Sequence, residues 1–580
     1  MDRIKFLQIL IYIFIALILL RLLYWQFIAG SKLTPNSLLL DSEIPADRGE
    51  IYTSDNFPIV SNQEAFLVYA KPSEMDKSPA EIAGILAPSL ISEKYATAGA
   101  SLSQDELKTK EEEIKNKEKD LESKLKNKNM LWVQLTRKIP KETKQKIESA
   151  KIKGIGFERD EKRYYPEASM SAQLLGFVGS DKFGRDIGYF GLEGYWDLQL
   201  KGKNGQLGQE KDPFGLPILV GKYRPIAPQK GASLYTSIDR VIQYIVEEKL
   251  RLAVEKYGAK DGSVVVADPK TGNILAMATF PTYDPALRTE FEEKLYRNPV
   301  VADTFEPGSI FKPIVMASAL DLSLVDPETK CDICSGPVQV SGYEISTWNK
   351  KYYPNSSMID VITHSDNVGM TFVSKKLGID RFSDYLSKFG FGKITKIDLQ
   401  EESPGSIRLK EDWKEIDLAT ASFGQGIAVT PIQMVQAISI IANKGKLISP
   451  KIVTKIDNNG RAEEIKSKTE KQVVSTKAAT QITEMMVTAV DKGESRVFAP
   501  KGYRIAGKTG TAQIPVSGHY DPNKTIASFV GFAPADDPKF VMLVRFTEPT
   551  SSPFGSETAA PTFFEIAKGI FDYLRILPQT

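Results

Sequence analysis

The first 28 residues frame everything else in this chain. From Phe6 to Leu20 the sequence is apolar except for Gln8; Arg21 follows, and the apolar run resumes to Ile28. Counted through Arg21, the stretch has the roughly 20 residues a helix needs to cross a bilayer. Arg21 near its outer end can extend its head group to the interface, a zone that also suits Tyr24 and Trp25. Arg3 and Lys5 precede the run, so the positive-inside rule places residues 1–5 in the cytoplasm. A cleaved leader is the alternative, with Ala29-Gly30-Ser31 as a weak site, but the apolar core is too long for one. The expectation is a single-pass cell-membrane anchor over residues 6–28 with an extracytoplasmic remainder.

At 580 residues the chain exceeds one ordinary core, and two or three domains are expected. Its 75 basic and 73 acidic residues nearly cancel, leaving a net charge of +2. That balance gives no bulk attraction for nucleic acid, and no nucleic-acid partner is expected. Two cysteines rule out a disulfide scaffold, and only two histidines, His364 and His519, are present. They leave little room for a histidine metal site or a Ser-His-Asp triad, so a nucleophile here needs another base.

Residues 30–45 read as an extended linker with Pro35 and Pro45. Ala46–Val60 reads as two β runs around a Thr-Ser-Asp-Asn turn, a hairpin. Residues 100–130 form a charged insertion, with Leu107, Ile114 and Leu121 seven apart. One apolar position per heptad is a weak coiled-coil seam, so this helix is expected to pack a thin stripe on its own domain. Residues 154–210 read as short strands and turns, and Pro217, Pro225 and Pro228 mark a boundary. The expected parts are an N-terminal module over 29–228 and a second domain over 229–580. The latter opens with an amphipathic helix over Arg240–Glu255 and strands over Ser263–Asp268 and Ile274–Thr279, and mixes helices and strands to its end.

Three short motifs in that second domain carry chemistry. In Glu306-Pro307-Gly308-Ser309-Ile310-Phe311-Lys312-Pro313, Pro-Gly breaks the chain and Pro313 is harmless only in a first turn, so a helix starts near Ser309. A serine there has a free backbone N–H, and the helix dipole favours negative charge beside it. Lys312, on the same face, can act as base if burial or another cation lowers its proton affinity. Ser365-Asp366-Asn367 follows, with Ser365 56 residues after Ser309. It offers a hydroxyl relay and a carboxamide that both donates and accepts, or else a simple N-cap for a helix near Val368. His364 beside it is read as incidental. Lys508-Thr509-Gly510-Thr511 comes 143 residues after Ser365, preceded by strand-like Tyr503–Ala506. A glycine in a strand allows close backbone approach, and an edge strand can bind an extended peptide. Each motif alone matches ordinary turns and strands; the ordered set does not.

The ordered trio resembles that of the β-lactamases and penicillin-binding proteins. Further segments look like class B penicillin-binding proteins: Arg48–Ile51, Tyr164-Tyr165-Pro166, Gly191-Leu192-Glu193, Asp268–Gly272, Ile274–Ala278, Ser422–Gly426, Thr430-Pro431 and Ser528–Pro534. The resemblance implies an elongated α+β N-terminal pedestal or dimerisation-type module and a C-terminal α/β transpeptidase domain, an antiparallel sheet flanked by helices. It implies a peptidoglycan D,D-transpeptidase that cross-links stem peptides of nascent glycan strands, is acylated by β-lactams, and uses no metal or organic cofactor. Ser309 would be the nucleophile, Lys312 its base, and Ser365 with Lys508 the proton relay. Asn367 would hold the donor peptide; Lys508, Thr509, Gly510 and Thr511 would bind its carboxylate end; the N–H groups of Ser309 and Thr511 would form the oxyanion hole. Implied partners are a polytopic membrane glycosyltransferase and divisome or elongasome proteins, with a division or spore-type role favoured over elongation. A D,D-carboxypeptidase shares this chemistry, a silent β-lactam receptor or divisome scaffold shares the motifs, and a soluble β-lactamase would not need the anchor. Cys331 and Cys334 are too few for a zinc site and lack a thioredoxin-like context, so a short-loop disulfide is expected outside the cell.

Overall fold

The computed structural model describes residues 3–24, 26, 39–96, 103–210, 223–466, 469–516 and 519–579. Trp25, the Ala29-Gly30-Ser31 site, Pro35 and Pro217 lie outside the described residues. The chain divides into two compact units, one drawn from 1–48 and 201–231, the other from 49–200 and 232–580.

In the first unit, Arg3–Leu23 is one helix, long and apolar enough to span a bilayer, with no part of its apolar window covered by protein. The same unit holds a three-stranded sheet of Leu39–Ile44, Gly205–Glu210 and Tyr223–Ile226. The segment read as a plain linker therefore ends in a strand: Leu39–Ile44 pairs antiparallel with Gly205–Glu210, a partner remote in sequence.

The second unit contains a seven-stranded sheet that draws on both halves of the sequence. The expected hairpin is present: Ile51–Tyr52 pairs with Pro58–Ala70, and Thr53 N–H donates to Phe57 O at 2.9 Å across the turn. Ile51–Tyr52 also pairs parallel with Ser233–Thr236, which pairs with Val453–Asn458. On the hairpin's outer side, Pro58–Ala70 pairs with Val133–Ile139 and Ile155–Tyr164. The charged helix is Gln104–Leu125, opened by a Ser103/Glu106 capping box. Leu121 and Leu125 are fully buried with Ile82, Leu86 and Leu135, whereas Leu107 is 46% exposed. Its apolar stripe therefore serves its own module, and only at its C-terminal end. Arg163, from the Tyr-Tyr-Pro segment, and Glu193, from Gly-Leu-Glu, meet in a buried ion pair at 2.6 Å.

A five-stranded antiparallel sheet organises the rest. Its strands are β1 (Asp261–Ala267), β2 (Ile274–Phe280), β3 (Ala506–Val516), β4 (His519–Ala533) and β5 (Phe540–Thr547), in the order β2-β1-β5-β4-β3. Successive side chains of a strand point to opposite faces, and both faces of this sheet are covered. Val264, Val266, Met542 and Val544 pack with helices α1 (Arg240–Tyr257) and α7 (Ala559–Leu574). Val265, Leu543 and Val530 pack with an inner group: α2 (Lys312–Asp321), α3 (Met358–Thr363), α4 (Asn367–Phe389), α5 (Pro431–Ala442) and α6 (Thr476–Lys492). Helix α2 is buried from Lys312 to Leu320, apolar on all sides except for the ammonium of Lys312 and Ser318. That one cation inside an apolar helix is what the fold must accommodate.

Candidate active site

The Ser309 segment differs in one detail from its sequence expectation. Gly308–Phe311 forms a 3-10 turn and the α-helix begins only at Lys312, with Pro313 in its first turn. The 3-10 repeat of about three residues stacks Ser309 directly over Lys312, and Lys312 N–H donates to Ser309 O. Gly308 takes φ +56°, and its N–H donates to Gly424 O at 3.0 Å. A Cβ on Gly424 would lie 2.2 Å from Gly308 O, so the Ser422–Gly426 loop needs its glycine to seat this turn.

Lys312 is fully buried, and its Nζ donates to Ser365 O at 2.6 Å, Ser365 Oγ at 3.1 Å and Asn367 Oδ1 at 2.8 Å. Burial drives its proton affinity well below the ordinary lysine range; the neighbouring cation Lys508 adds to this and Asp366 opposes it. An ammonium has three protons to donate, and all three have an acceptor here. Once one is lost, the amine can take the proton of a hydroxyl in reach.

Ser365 and Asn367 are delivered by the junction of α3 and α4. A Ser357/Asp360 capping box opens α3. Ser365 adopts a left-handed φ of +55°, and the Asp366 carboxylate caps α4 by accepting from Val368 N–H at 2.8 Å and Gly369 N–H at 3.2 Å. The relay and N-cap readings are therefore compatible: Asp366 caps, which frees Ser365 and Asn367 to turn toward Lys312. The Asn367 carboxamide also donates to Ser346 O at 3.2 Å. Behind α3, Cys331 and Cys334 are joined by a disulfide, and Cys331 N–H donates to Ser356 O at 2.9 Å, one residue before the cap of α3. His364 is exposed and stacks on Tyr353 with ring centroids 4.1 Å apart.

The strand side is built on β3, an edge of its sheet. Lys508, Gly510 and Thr511 lie opposite Val530, Ser528 and Ala527 of β4. Lys508 is nearly buried, its Nζ donating to Thr509 O at 3.2 Å and Thr509 Oγ1 at 3.3 Å. Burial pushes its proton affinity down to about 8, while the carboxylate of Glu494 acts to raise it. A small cavity lined by Ser365, Glu494, Lys508 and Thr509 joins the two sides. A Cβ on Gly510 would stand 2.9 Å from Ile310 and 3.2 Å from Pro307 O. The glycine thus lets the Ser309 turn lie against the strand, close to Thr511. Thr511 Oγ1 accepts from Gly555 N–H at 3.0 Å. All eight residues singled out in the sequence therefore converge on one cleft. Sequence reading gave no role to Glu306, Glu494 or Tyr520; Glu306 lay within the first motif, whereas the other two carry no local signal.

Residues 262–568 match the penicillin binding protein transpeptidase domain, and residues 43–236 the penicillin-binding protein dimerisation domain. The chain belongs to the class B penicillin-binding proteins. It is 33% identical over 575 residues to stage V sporulation protein D of Bacillus subtilis, covering 96% of this chain and 84% of that one. It is 31% identical over 543 residues to the probable peptidoglycan D,D-transpeptidase PbpC of Pseudomonas aeruginosa, covering 93% and 89%. A peptidoglycan synthetase from Bifidobacterium adolescentis has the same fold, with a TM-score of 0.73, 25% identity and coverage of 93% of this chain and 98% of that one. This class B protein is a membrane-anchored peptidoglycan D,D-transpeptidase, a serine acyl-transferase of cell-wall synthesis.

Proposed function

We propose that Ser309 carries the acyl group, and that the other cleft residues act as follows. Lys312, neutral at working pH, takes the Ser309 proton as Ser309 Oγ attacks the carbonyl of the penultimate D-Ala of a stem peptide. Negative charge on the carbonyl oxygen is met by the N–H groups of Ser309 and Thr511. The C–N bond then breaks, and Ser365 with Lys508 delivers a proton to the departing D-Ala amine. Asn367 holds the donor peptide, and Lys508, Thr509 and Thr511 hold its terminal carboxylate, with Gly510 giving the room. An amine of a neighbouring strand attacks the ester, a new amide forms, and Ser309 regains its proton. The observation that carries this reading is the buried Lys312 Nζ, one turn on from Ser309 and hydrogen-bonded to both Ser365 and Asn367. β-Lactams acylate Ser309 by the same attack.

The finer organisation belongs to the same proposal. Residues 1–5 are cytoplasmic, 6–28 cross the membrane once, 29–228 form the pedestal module and 229–580 act outside. The partner is a polytopic membrane glycosyltransferase, and the role is division or spore-type wall synthesis. The kinship with a sporulation protein supports the last point. Labelling with a fluorescent penicillin tests the core of the proposal. Wild type should label in a stable adduct and Ser309→Ala should not; an unlabelled wild type, or a labelled variant, sinks it.

A further inference from the structure

Three residues before Ser309 stands a carboxylate that the mechanism above does not use. Glu306 is partly buried at the mouth of the cleft, between the Ser422–Gly426 loop and the hairpin of β3 and β4. Its Oε1 accepts from Gly426 N–H at 3.1 Å, and the Tyr520 hydroxyl donates to both carboxylate oxygens, at 3.2 and 3.1 Å. Among the described residues no lysine, arginine or histidine pairs with it. A carboxylate taken largely out of water and met only by neutral donors is costly, and burial raises its proton affinity while the two donors oppose that rise. Tyr520 is itself pushed up to about 12, chiefly by burial, so its hydroxyl stays a donor. Tyr520 is 43% exposed, so this contact sits at the surface, where an incoming chain arrives.

The reaction brings a cation to the cleft, which must give up a proton before its nitrogen attacks the ester. The donor peptide brings a carboxylate, which the Lys508 side of the cleft can neutralise, whereas the acceptor strand brings an amine that is an ammonium in bulk water. Glu306 is tied to the nucleophile by two bonds from one loop: Gly426 N–H to Glu306 and Gly308 N–H to Gly424 O. A group held by Glu306 is thereby held in fixed register with Ser309. We propose that Glu306 is a specificity-determining residue of this transpeptidase, receiving the ammonium of the acceptor strand, with the Tyr520 hydroxyl as the placeholder that the ammonium displaces. This rests on Ser309 as the acyl carrier. It accounts for a partly buried carboxylate that has no cation among the described residues, beside a site whose second substrate is cationic.

The test separates the two half-reactions in the full-length, detergent-solubilised protein. Benzylpenicillin reports acylation of Ser309. A D-Ala-D-lactate depsipeptide donor, with free D-alanine as acceptor, reports the partition of the acyl-enzyme between amide transfer and hydrolysis. Glu306→Gln should raise the half-saturating D-alanine concentration about tenfold and lower the transfer-to-hydrolysis ratio alike, the loss of one partly exposed charged hydrogen bond, while penicillin acylation stays within about threefold. Tyr520→Phe leaves the turn intact and removes the competitor, so its ratio should rise about twofold, again by the worth of one hydrogen bond. Acylation and transfer falling in parallel in Glu306→Gln would make Glu306 a brace for the Ser309 turn and overturn the proposal. So would an unchanged ratio in Glu306→Gln, or a ratio that does not rise in Tyr520→Phe. A wild type that penicillin does not acylate would fault the Ser309 assignment instead, which this readout reports separately.

Discussion

Lys312 and Lys508 are both buried, yet the helix side of the cleft and the strand side treat them differently. On the helix side, Lys312 sits in an apolar helix and is surrounded by three oxygen acceptors from the α3–α4 junction. Burial and the second lysine lower its proton affinity. On the strand side, Lys508 donates to its neighbour Thr509, lies on an edge strand, and feels a carboxylate that helps it keep its charge. One environment favours the neutral amine, the other a cation near the point of losing its proton. The contrast shows that burial alone does not assign a lysine its job; the sign of the next charge does.

The sharpest way to break this contrast is to exchange the lysines for arginine. Arginine cannot be deprotonated, so Lys312→Arg should lose acylation by about 10²–10⁴-fold, the range of general-base catalysis, as should Lys312→Met. Stopped-flow acylation by a penicillin measures it, and an arginine variant within tenfold of wild type removes Lys312 as base. Lys508→Ala should cost about 10–100-fold in kcat/KM, chiefly in KM, as one charge-assisted hydrogen bond is lost. Lys508→Arg should recover the KM share of that, because it keeps the charge, and any kcat deficit that stays measures the part of Lys508 in the proposed proton relay. Raising the pH tests the same charge in the native protein. Lys508 has its proton affinity lowered to about 8, so it is charged below that pH and neutral above it. The donor KM should therefore climb as pH rises through about 8, and a KM flat across that window refutes a carboxylate-binding role. The smallest effect is structural. Asp366→Ala removes two N-cap bonds of α4 and should lower unfolding stability by about 1 kcal/mol in denaturant titration.

What the sequence made legible was what local chemistry dictates. Pro307-Gly308 and Pro313 placed Ser309 in a first turn, and the structure moves the α-helix start only to Lys312 through a 3-10 turn. Asp366 was readable as an N-cap because Asp before a helix satisfies free N–H groups. Long-range geometry was not legible. No local signal links Tyr520 to Glu306, 214 residues away. Nor does periodicity reveal that Ile51–Tyr52 would add to a strand beginning at Ser233 and so join two stretches expected to be separate. The heptad in the charged helix was visible, but which of its leucines is covered depended on where the neighbouring helix Pro79–Ala96 ends.

The open edge at β3 has a consequence for solubility as well as for substrate. An unpaired strand edge is a template on which other chains can aggregate, and an inward-pointing charge is one of the ways proteins guard it. Lys508 is such a charge, placed within the last strand of the sheet and almost out of contact with water. A stray β-strand that zips onto this edge must cover an ammonium it cannot neutralise, whereas a short peptide ending in a carboxylate brings the missing counter-charge with it. On the proposed role, the buried proton that would seat the substrate would also screen out other extended polypeptide, and a protein stripped of it should be more prone to self-association as well as slower.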